Sequence, residues 1–363
     1  MSLKLMFTVL NFFLISWNFA DAQVQIIDQS DRAPIPFVHV ISEEGIIIGT
    51  SDIEGIIDLR EIIEVKTDSV SFQHISYQNK TVSKEKLIRG KKGELTKRNI
   101  LIPEIVVSSQ SQPVYLVLKG FYRSYQIENG VPKYYTDGIV EYYISKNKLK
   151  NRVLQHRSFR NKKLEAAEKK RINTVSMVVA GVPYIDAKTS IDALDKDYII
   201  SDRSEKRIIL KENSEVGAVS YDSQSNMAVV NVDLIAPAKE KENSLFNYTS
   251  KITGINIIEN YKSPDLINLE KVDLVSRKEY RKIFFKHKKE KDFTEIDGLH
   301  EFYVLDKKYL YKSDLKSIDL SSFFGLSRSS EYIDAYWNDL EKYGIEKLPE
   351  YIEKLLGTTL TKY

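Results

Sequence analysis

The sequence lacks cysteine altogether, has two tryptophans among 363 residues, and carries no large excess of charge of either sign. Without cysteine the chain has no disulfide bond and no thiol for lipid attachment, which excludes a small disulfide-stabilised domain and a conventional lipoprotein. Its 54 basic and 51 acidic residues leave a net charge of +3, which argues against a dedicated nucleic-acid-binding protein. Stability must therefore come from buried apolar surface.

Long apolar runs are also absent after the N-terminus, since charges interrupt every window of membrane-spanning length. At the N-terminus, Lys4 precedes a largely apolar stretch from Leu5 to Phe19, and Ala20-Asp21-Ala22 follows. This layout is typical of a secretory signal peptide, which we predict to be residues 1–22. We therefore expect an exported chain with no transmembrane span after cleavage, located in the periplasm, at the outer membrane, or secreted.

Short β-type runs separated by turn signals follow the predicted cleavage site. Their spacing of about 8–12 residues predicts a β-sandwich over residues 23–107. Between two of the runs, Asp52 to Gly55 predicts a turn in which Gly55 adopts a positive φ. The predicted strands are Val24 to Ile27, Phe37 to Ile41, Gly45 to Thr50, Gly55 to Leu59, Ser69 to His74 and Ile100 to Val107.

Several segments of this region carry a family resemblance. They are Val24-Gln25-Ile26-Ile27-Asp28, Ala33-Pro34-Ile35-Pro36-Phe37-Val38, Gly49-Thr50-Ser51-Asp52-Ile53-Glu54-Gly55, Asp68-Ser69-Val70-Ser71-Phe72 and Ile75-Ser76-Tyr77. Together they resemble the carboxypeptidase regulatory-like domain, a prealbumin-like β-sandwich also found at the N-terminus of TonB-dependent outer-membrane receptors. The resemblance covers about a quarter of the chain. Val24, Ile57 and Ser76 depart from it, where the family usually has Gly, an aromatic residue and Gly. It implies an accessory structural module.

The activities that accompany this module elsewhere find no support in the residues. The residues after the predicted sandwich and the polar stretch that follows it lack the lipid-facing alternation of a receptor barrel. A zinc carboxypeptidase needs His-x-x-Glu and a distant third ligand, but no histidine follows His300, ten residues after the Glu290 of His287-x-x-Glu290. We therefore predict no catalytic residue, no metal site and no cofactor, and we expect that the chain is not an enzyme.

Residues 108–113 form a polar bridge that we interpret as a linker, and residues 114–363 predict a second domain. Asn129-Gly130 between alternating runs is a strong hairpin signal. The fold class is therefore mainly β or α+β, with a large curved antiparallel sheet in this domain. Further strands are predicted at Val175 to Val182, Ala218 to Tyr221, Met227 to Ile235, Lys271 to Val275, Lys282 to Phe285 and Phe302 to Leu305. Helices are predicted from Asn161 to Arg171, from Ser330 to a stop at Gly344, and from Pro349.

Two basic runs are candidates for contact with an anionic surface. Between residues 146 and 171, 11 of 26 positions are Lys or Arg, and between 277 and 291 the number is 8 of 15. Such residues either contact anionic lipid or polysaccharide groups, or form solvated strand edges that lysine protects from aggregation. Contact is favoured if both runs share one face. The candidate contact residues are Lys146, Lys148, Lys150, Arg152, Arg157, Arg160, Arg281, Lys282, Lys286 and Lys288.

Three functions remain open at this point. The first is a non-catalytic binding or scaffolding role in the envelope of a Gram-negative cell, with envelope proteins, lipid or polysaccharide headgroups as partners and no nucleic acid. The second is a periplasmic carrier that holds a lipid or lipoprotein acyl chain in a half-barrel groove, which requires an apolar cavity of several hundred Å³. The third is a hydrolase whose site the sequence does not reveal.

Overall fold

The structure is a computed structural model that describes residues 23–98, 112–146, 148–172, 178–203, 206–222, 225–238, 240–245, 247–312, 314 and 336–363. It divides into two compact units, residues 1–98 (unit 1) and 99–363 (unit 2). Both are rich in strands, which confirms the mainly β fold class. The predicted signal peptide, the strand at Ile100 to Val107 and residues 108–111 of the predicted linker lie outside the described residues. In the described ranges, no helix is long and apolar enough to cross a membrane.

Unit 1 contains two small sheets and two short helices. One sheet has the order β4-β1-β7, with β1 parallel to β7, and the other is antiparallel with the order β3-β2-β5-β6. Ile26 of the first sheet and Phe72 of the second are fully buried in one apolar cluster, so the sheets enclose a common core. The elements are β1 (Gln23–Asp28), β2 (His39–Ser42), β3 (Ile47–Thr50), β4 (Ile56–Asp58), α1 (Leu59–Glu64), β5 (Ser69–Gln73), β6 (Lys80–Ser83), α2 (Lys84–Gly90) and β7 (Lys92–Leu95).

The predicted turn before β4 is confirmed, together with its chemistry. Asp52 Oδ1 accepts hydrogen bonds from the backbone N–H groups of Glu54 and Ile56, at 2.9 and 2.8 Å. Gly55 has a φ of +71°, and a Cβ there would lie 2.6 Å from the carbonyl oxygen of Ile26. Glycine is therefore required by conformation and by space.

Unit 2 is built on one twelve-stranded antiparallel sheet. Its order is β11-β12-β13-β14-β16-β17-β18-β8-β9-β10-β19, and β15 pairs with β16. The strands are β8 (Tyr115–Glu128), β9 (Val131–Ser145), β10 (Lys148–Arg160), β11 (Tyr198–Arg203), β12 (Lys206–Lys211), β13 (Ser214–Asp222), β14 (Met227–Asp233), β15 (Lys241–Leu245), β16 (Tyr248–Tyr261), β17 (Leu274–His287), β18 (Thr294–Leu310) and β19 (Thr361–Lys362). The helices are α3 (Lys162–Ile172) and α4 (Glu350–Leu355), with 3-10 turns at Lys271–Asp273, Tyr336–Asp339 and Glu341–Tyr343.

The β8–β9 hairpin forms at the predicted Asn129-Gly130 turn. Both residues have positive φ, +47° and +77°, as a tight two-residue hairpin turn requires. One face of this hairpin, the core face, carries Leu118, Tyr122 and Tyr142 into the main apolar cluster of unit 2. The opposite face, the charged face, carries Phe121, Arg123 and Asp137. Because side chains alternate along a strand, the two faces run through the neighbouring strands as well.

The prediction of a strand from Val175 to Val182 is wrong for its described part, residues 178–182. The backbone N–H groups of Val179 and Ala180 instead donate to the side-chain oxygen of Gln126, at 2.7 and 3.3 Å. An amide side chain on β8 thus satisfies groups that a ladder would otherwise pair. The apolar run crosses the core face, where Ile185 is fully buried.

The helix predicted from Ser330 is also wrong where it is described, because residues 336–343 form two 3-10 turns. Gly344 ends them at a φ of +66°, so the predicted stop is confirmed. The other two predicted helices are present as α3 and α4. Asn161 caps α3 by accepting a hydrogen bond from the Leu164 N–H at 3.1 Å.

Candidate functional site

The two basic runs fold into strands that the sheet keeps apart. The run from 146 to 171 supplies β10 and α3, and the run from 277 to 291 supplies most of β17. Three strands separate β10 from β17, a distance of about 19 Å at ordinary strand spacing. Lys148 lies beside the turn between β9 and β10, whereas Lys282 pairs with Asp297 at the end of the strands where β8 turns into β9. Both runs therefore reach the charged face, but Lys148 and Lys282 lie at opposite ends of it, so the runs do not combine into one basic surface.

Half of the ten predicted contact residues hold other side chains of unit 2. Arg157 binds Asp137 through two nitrogens, Arg281 pairs with Glu279, and Lys282 pairs with Glu295. Arg160 lies over the ring of Tyr363 and Lys286 over that of Phe293, at 3.8 and 4.5 Å from the ring centres. Lys288 is exposed in the loop after β17.

The other four residues form one exposed patch, the basic edge, which comprises Lys146, Lys148, Lys150 and Arg152. The last three occupy alternate positions of β10 and point to the charged face, opposite Ser145, Tyr143 and Glu141. Arg152 also hydrogen-bonds the Tyr143 hydroxyl. Among the described residues, the ammonium groups of the three lysines have no ion-pair partner. The patch therefore presents positive charge in a line along one strand.

The charged face also carries a buried row of alternating charges, the charged row, which no sequence signal revealed. The order across five neighbouring strands is Lys278, Glu301, Arg123, Asp137 and Arg157, each directly opposite the next. The first four residues are buried, and the Arg157 side chain is 11% exposed. Each carboxylate lies between two cations, an arrangement that compensates the cost of burying the charges.

Residues 336–356, the C-terminal segment, lie against this row. Glu346 is fully buried, and its carboxylate accepts a 2.6 Å hydrogen bond from Lys278. Its backbone carbonyl accepts another, also 2.6 Å, from Arg123. Burial alone would lower the pKa of Arg123, but the neighbouring Glu301 carboxylate outweighs burial and raises the pKa. Arg123 and Lys278 thus attach the C-terminal segment to the sheet.

Beside the charged row lies a cavity of about 420 Å³, bounded by the C-terminal segment and the ends of β9 and β10. Its walls carry charge of both signs as well as leucine side chains. Lys347 forms a 2.9 Å ion pair with Glu341, and Arg157 is held by Asp137. The lining residues are Tyr135, Arg157, Asn338, Asp339, Leu340, Glu341, Lys347, Leu348, Glu353 and Leu356. A cavity with this lining is unsuited to an acyl chain, which needs predominantly apolar walls.

A second buried cluster, on the core face, centres on Glu259. Its carboxylate lies 3.0 Å from the cationic groups of both Lys271 and Arg277, and it accepts a 2.9 Å hydrogen bond from the Ser190 N–H. Burial would raise the pKa of Glu259, but the two cations reverse this and lower it well below its usual value. The cluster thus fixes the segment around residue 190 against the sheet.

Ser124 and His300 are the pair that comes nearest to nucleophilic chemistry in the described part of unit 2. Ser124 Oγ lies 2.9 Å from His300 Nδ1 and donates a 2.6 Å hydrogen bond to the carbonyl of Gly181. Because the hydroxyl has a single proton, His300 Nδ1 must donate to Oγ, which is the reverse of the direction that activates a serine. Ser124 is fully buried, and burial lowers the pKa of His300 to about 4. The arrangement closes the core and does not form a reactive centre.

The His287-x-x-Glu290 motif has a local structural role. The Glu290 carboxylate accepts a 2.8 Å hydrogen bond from the His287 N–H, and His287 Nδ1 accepts one from the Lys289 N–H at 3.2 Å. Both side chains thus complete the turn after β17. Over the residues that the structure describes, no three His, Asp or Glu side chains are grouped as metal ligands would be.

Comparison with known proteins adds no assignment, since no protein-family model matches the chain and no curated protein matches it.

Proposed function

We propose that the chain is an exported protein of the cell envelope with a non-catalytic binding or scaffolding role, and that unit 2 holds an anionic partner on the basic edge. The observation that carries this proposal is the basic edge itself. Lys146, Lys148 and Lys150 are exposed cations without a counter-charge among the described residues, whereas Arg157, Arg281 and Lys282 of the same two runs are paired within unit 2.

The state of the other charged groups supports binding over catalysis. An enzyme needs titratable groups that converge on a cleft open to substrate. Here the carboxylates of Glu301, Asp137 and Glu259 are each neutralised by cations inside the fold. Ser124 and His300 are oriented away from nucleophile activation. These groups use their charge and hydrogen bonds for structure, and the basic edge is left to act on a partner.

Unit 1 fits the proposal as an accessory module. Its two small sheets, its turn at Asp52 to Gly55 and its sequence resemblance agree with a carboxypeptidase regulatory-like sandwich, and such a module contributes structure without chemistry of its own. The predicted signal peptide supplies the location. Cell fractionation tests this part: recovery in the periplasmic or outer-membrane fraction, or in the medium, is expected, and recovery in the cytoplasm alone would contradict it.

The binding role is tested by charge reversal with a matched control. We expect the mature chain to bind immobilised poly-L-glutamate, and Lys148→Glu with Lys150→Glu to weaken that binding about tenfold or more at low salt. The control is Lys162→Glu with Lys163→Glu, which makes the same change in net charge at two exposed residues of α3. Equal losses in the two double variants would show that net charge alone acts, and would remove the basic edge from the proposal.

A further inference from the structure

The basic edge lies on a strand whose outer side is largely unpaired in the described part of unit 2. The β10 strand pairs with β9 along its whole length, but on the other side β19 covers only Phe159 and Arg160. In an antiparallel pair, every second residue directs its backbone N–H and C=O away from its partner. Residues 148 to 153 therefore offer a row of backbone donors and acceptors at the margin of the sheet.

The two faces of this margin differ in chemistry. On the charged face, Lys148, Lys150 and Arg152 are exposed at alternate positions. On the core face, Leu149 and Val153 lie on either side of Asn151 and are half-buried against the main apolar cluster, whose margin they form. A strand laid beside β10 would bring alternate side chains against the cations and the intervening ones against the apolar margin.

We infer that β10 receives an extended acidic polypeptide strand of a partner protein, with acidic and apolar residues in alternation, as an additional strand of the sheet. This rests on the proposed function and specifies the partner of the same surface. The added strand would run antiparallel to β10, as does β19, which already pairs with the last two residues of β10, Phe159 and Arg160. The register shift between Val153 and Gln155 limits continuous pairing to the six residues from 148 to 153.

Charge also selects against the other candidate occupants. Two copies of this edge would place lysine opposite lysine, which disfavours a second copy of the chain. A headgroup layer or polysaccharide would satisfy the cations, but it would leave the strand's backbone groups and the Leu149 and Val153 margin without a partner. A polypeptide strand satisfies all three features together.

The test uses the mature chain and synthetic peptides of about eight residues. The probe alternates glutamate and valine, and its control has the same composition with the four glutamates grouped together. Two further peptides carry N-methyl groups on alternate backbone nitrogens, one for each phase of the alternation. We expect the alternating peptide to bind at least about tenfold more tightly than the grouped one, and only one of the methylated peptides to lose binding.

Each alternative outcome is informative. Equal binding of the alternating and grouped peptides, or equal effects of the two methylation phases, would overturn strand addition while the proposed polyanion binding stands. Binding to phosphatidylglycerol vesicles but to neither peptide would likewise overturn it in favour of a headgroup partner. Failure to bind poly-L-glutamate, vesicles and peptides alike would overturn the proposed function itself.

Discussion

Glu301 offers the sharpest test of the charged row. It is fully buried, is paired with Arg123, lies 3.6 Å from Lys278 Nζ, and accepts a 3.1 Å hydrogen bond from the Tyr303 hydroxyl. In Glu301→Gln, Lys278 would keep the carboxylate of Glu346, but Arg123 would lose its carboxylate partner, which leaves one buried positive charge uncompensated. Removing one partner of a buried ion pair costs about 3–5 kcal/mol. We expect a loss of that size in the free energy of unfolding of unit 2.

The measurement is urea unfolding followed by tryptophan fluorescence. Once the predicted signal peptide is removed, Trp337 in unit 2 is the sole tryptophan, so the signal reports unit 2. The control is Glu350→Gln, the same chemical change in the exposed Glu350–Lys354 pair, which should leave the free energy of unfolding nearly unchanged. Comparable losses in the two variants would show that Glu301 does not compensate a buried positive charge.

A double variant separates charge compensation from packing. Replacing both partners, as in Arg123→Met with Glu301→Leu, leaves Lys278 paired with Glu346 and strands no charge. Such apolar replacements of a buried pair are often close to neutral. We expect the double variant to recover about 2–3 kcal/mol relative to the sum of the two single variants. Strict additivity would show that the two charges do not act as a unit.

Two further predictions concern single residues. Burial lowers the pKa of His300 to about 4 from an ordinary value of about 6.5. The neutral imidazole therefore contributes its full stability above about pH 6.5, and this contribution falls by up to about 3 kcal/mol as the pH drops toward 4. The free energy of unfolding of His300→Gln should depend less steeply on pH over this range, and an unchanged slope would contradict the assignment. Gly55→Ala should destabilise unit 1 by more than about 1–3 kcal/mol, measured by amide hydrogen exchange, because Gly55 has a positive φ and a Cβ there would lie 2.6 Å from the Ile26 carbonyl oxygen. The control is Gly130→Ala, which has a similar φ but open space around it and should destabilise unit 2 less. Equal losses of stability would exclude the steric contribution.

The hairpin illustrates what the sequence of unit 2 reveals and what it hides. Asn129-Gly130 predicts the turn, and counting outward from it pairs Arg123 with Thr136. In the structure, however, Lys133 is an extra residue in β9, so that Arg123 lies opposite Asp137. Lys133 is fully buried between the carboxylates of Glu128 and Glu168, at 2.6 and 2.5 Å, and Glu168 comes from α3. Because that contact depends on tertiary structure, local sequence could not locate the bulge or the charged row.

The basic runs show the same limit. Their lysines and arginines predicted solvated surface, and at the basic edge this agrees with the exposed side chains. Lys278 and Arg277 belong to the second run but are buried, because Glu301, Glu346 and Glu259 reach them from β18, the C-terminal segment and β16. Charge counts along the chain cannot distinguish exposed cations from cations paired with distant carboxylates. The turn at Asp52 to Gly55 was predictable because its hydrogen bonds to Asp52 and the positive φ of Gly55 are local, although the close approach to Ile26 is not.

The most direct test of the central claim is amide hydrogen exchange of unit 2 with and without the alternating glutamate–valine peptide. Free edge groups of β10 should exchange rapidly, because only β9 pairs with most of this strand. Peptide binding should slow exchange in residues 148–153, and Lys148→Glu with Lys150→Glu should abolish the effect. Protection elsewhere in unit 2, or binding without protection of β10, would contradict it.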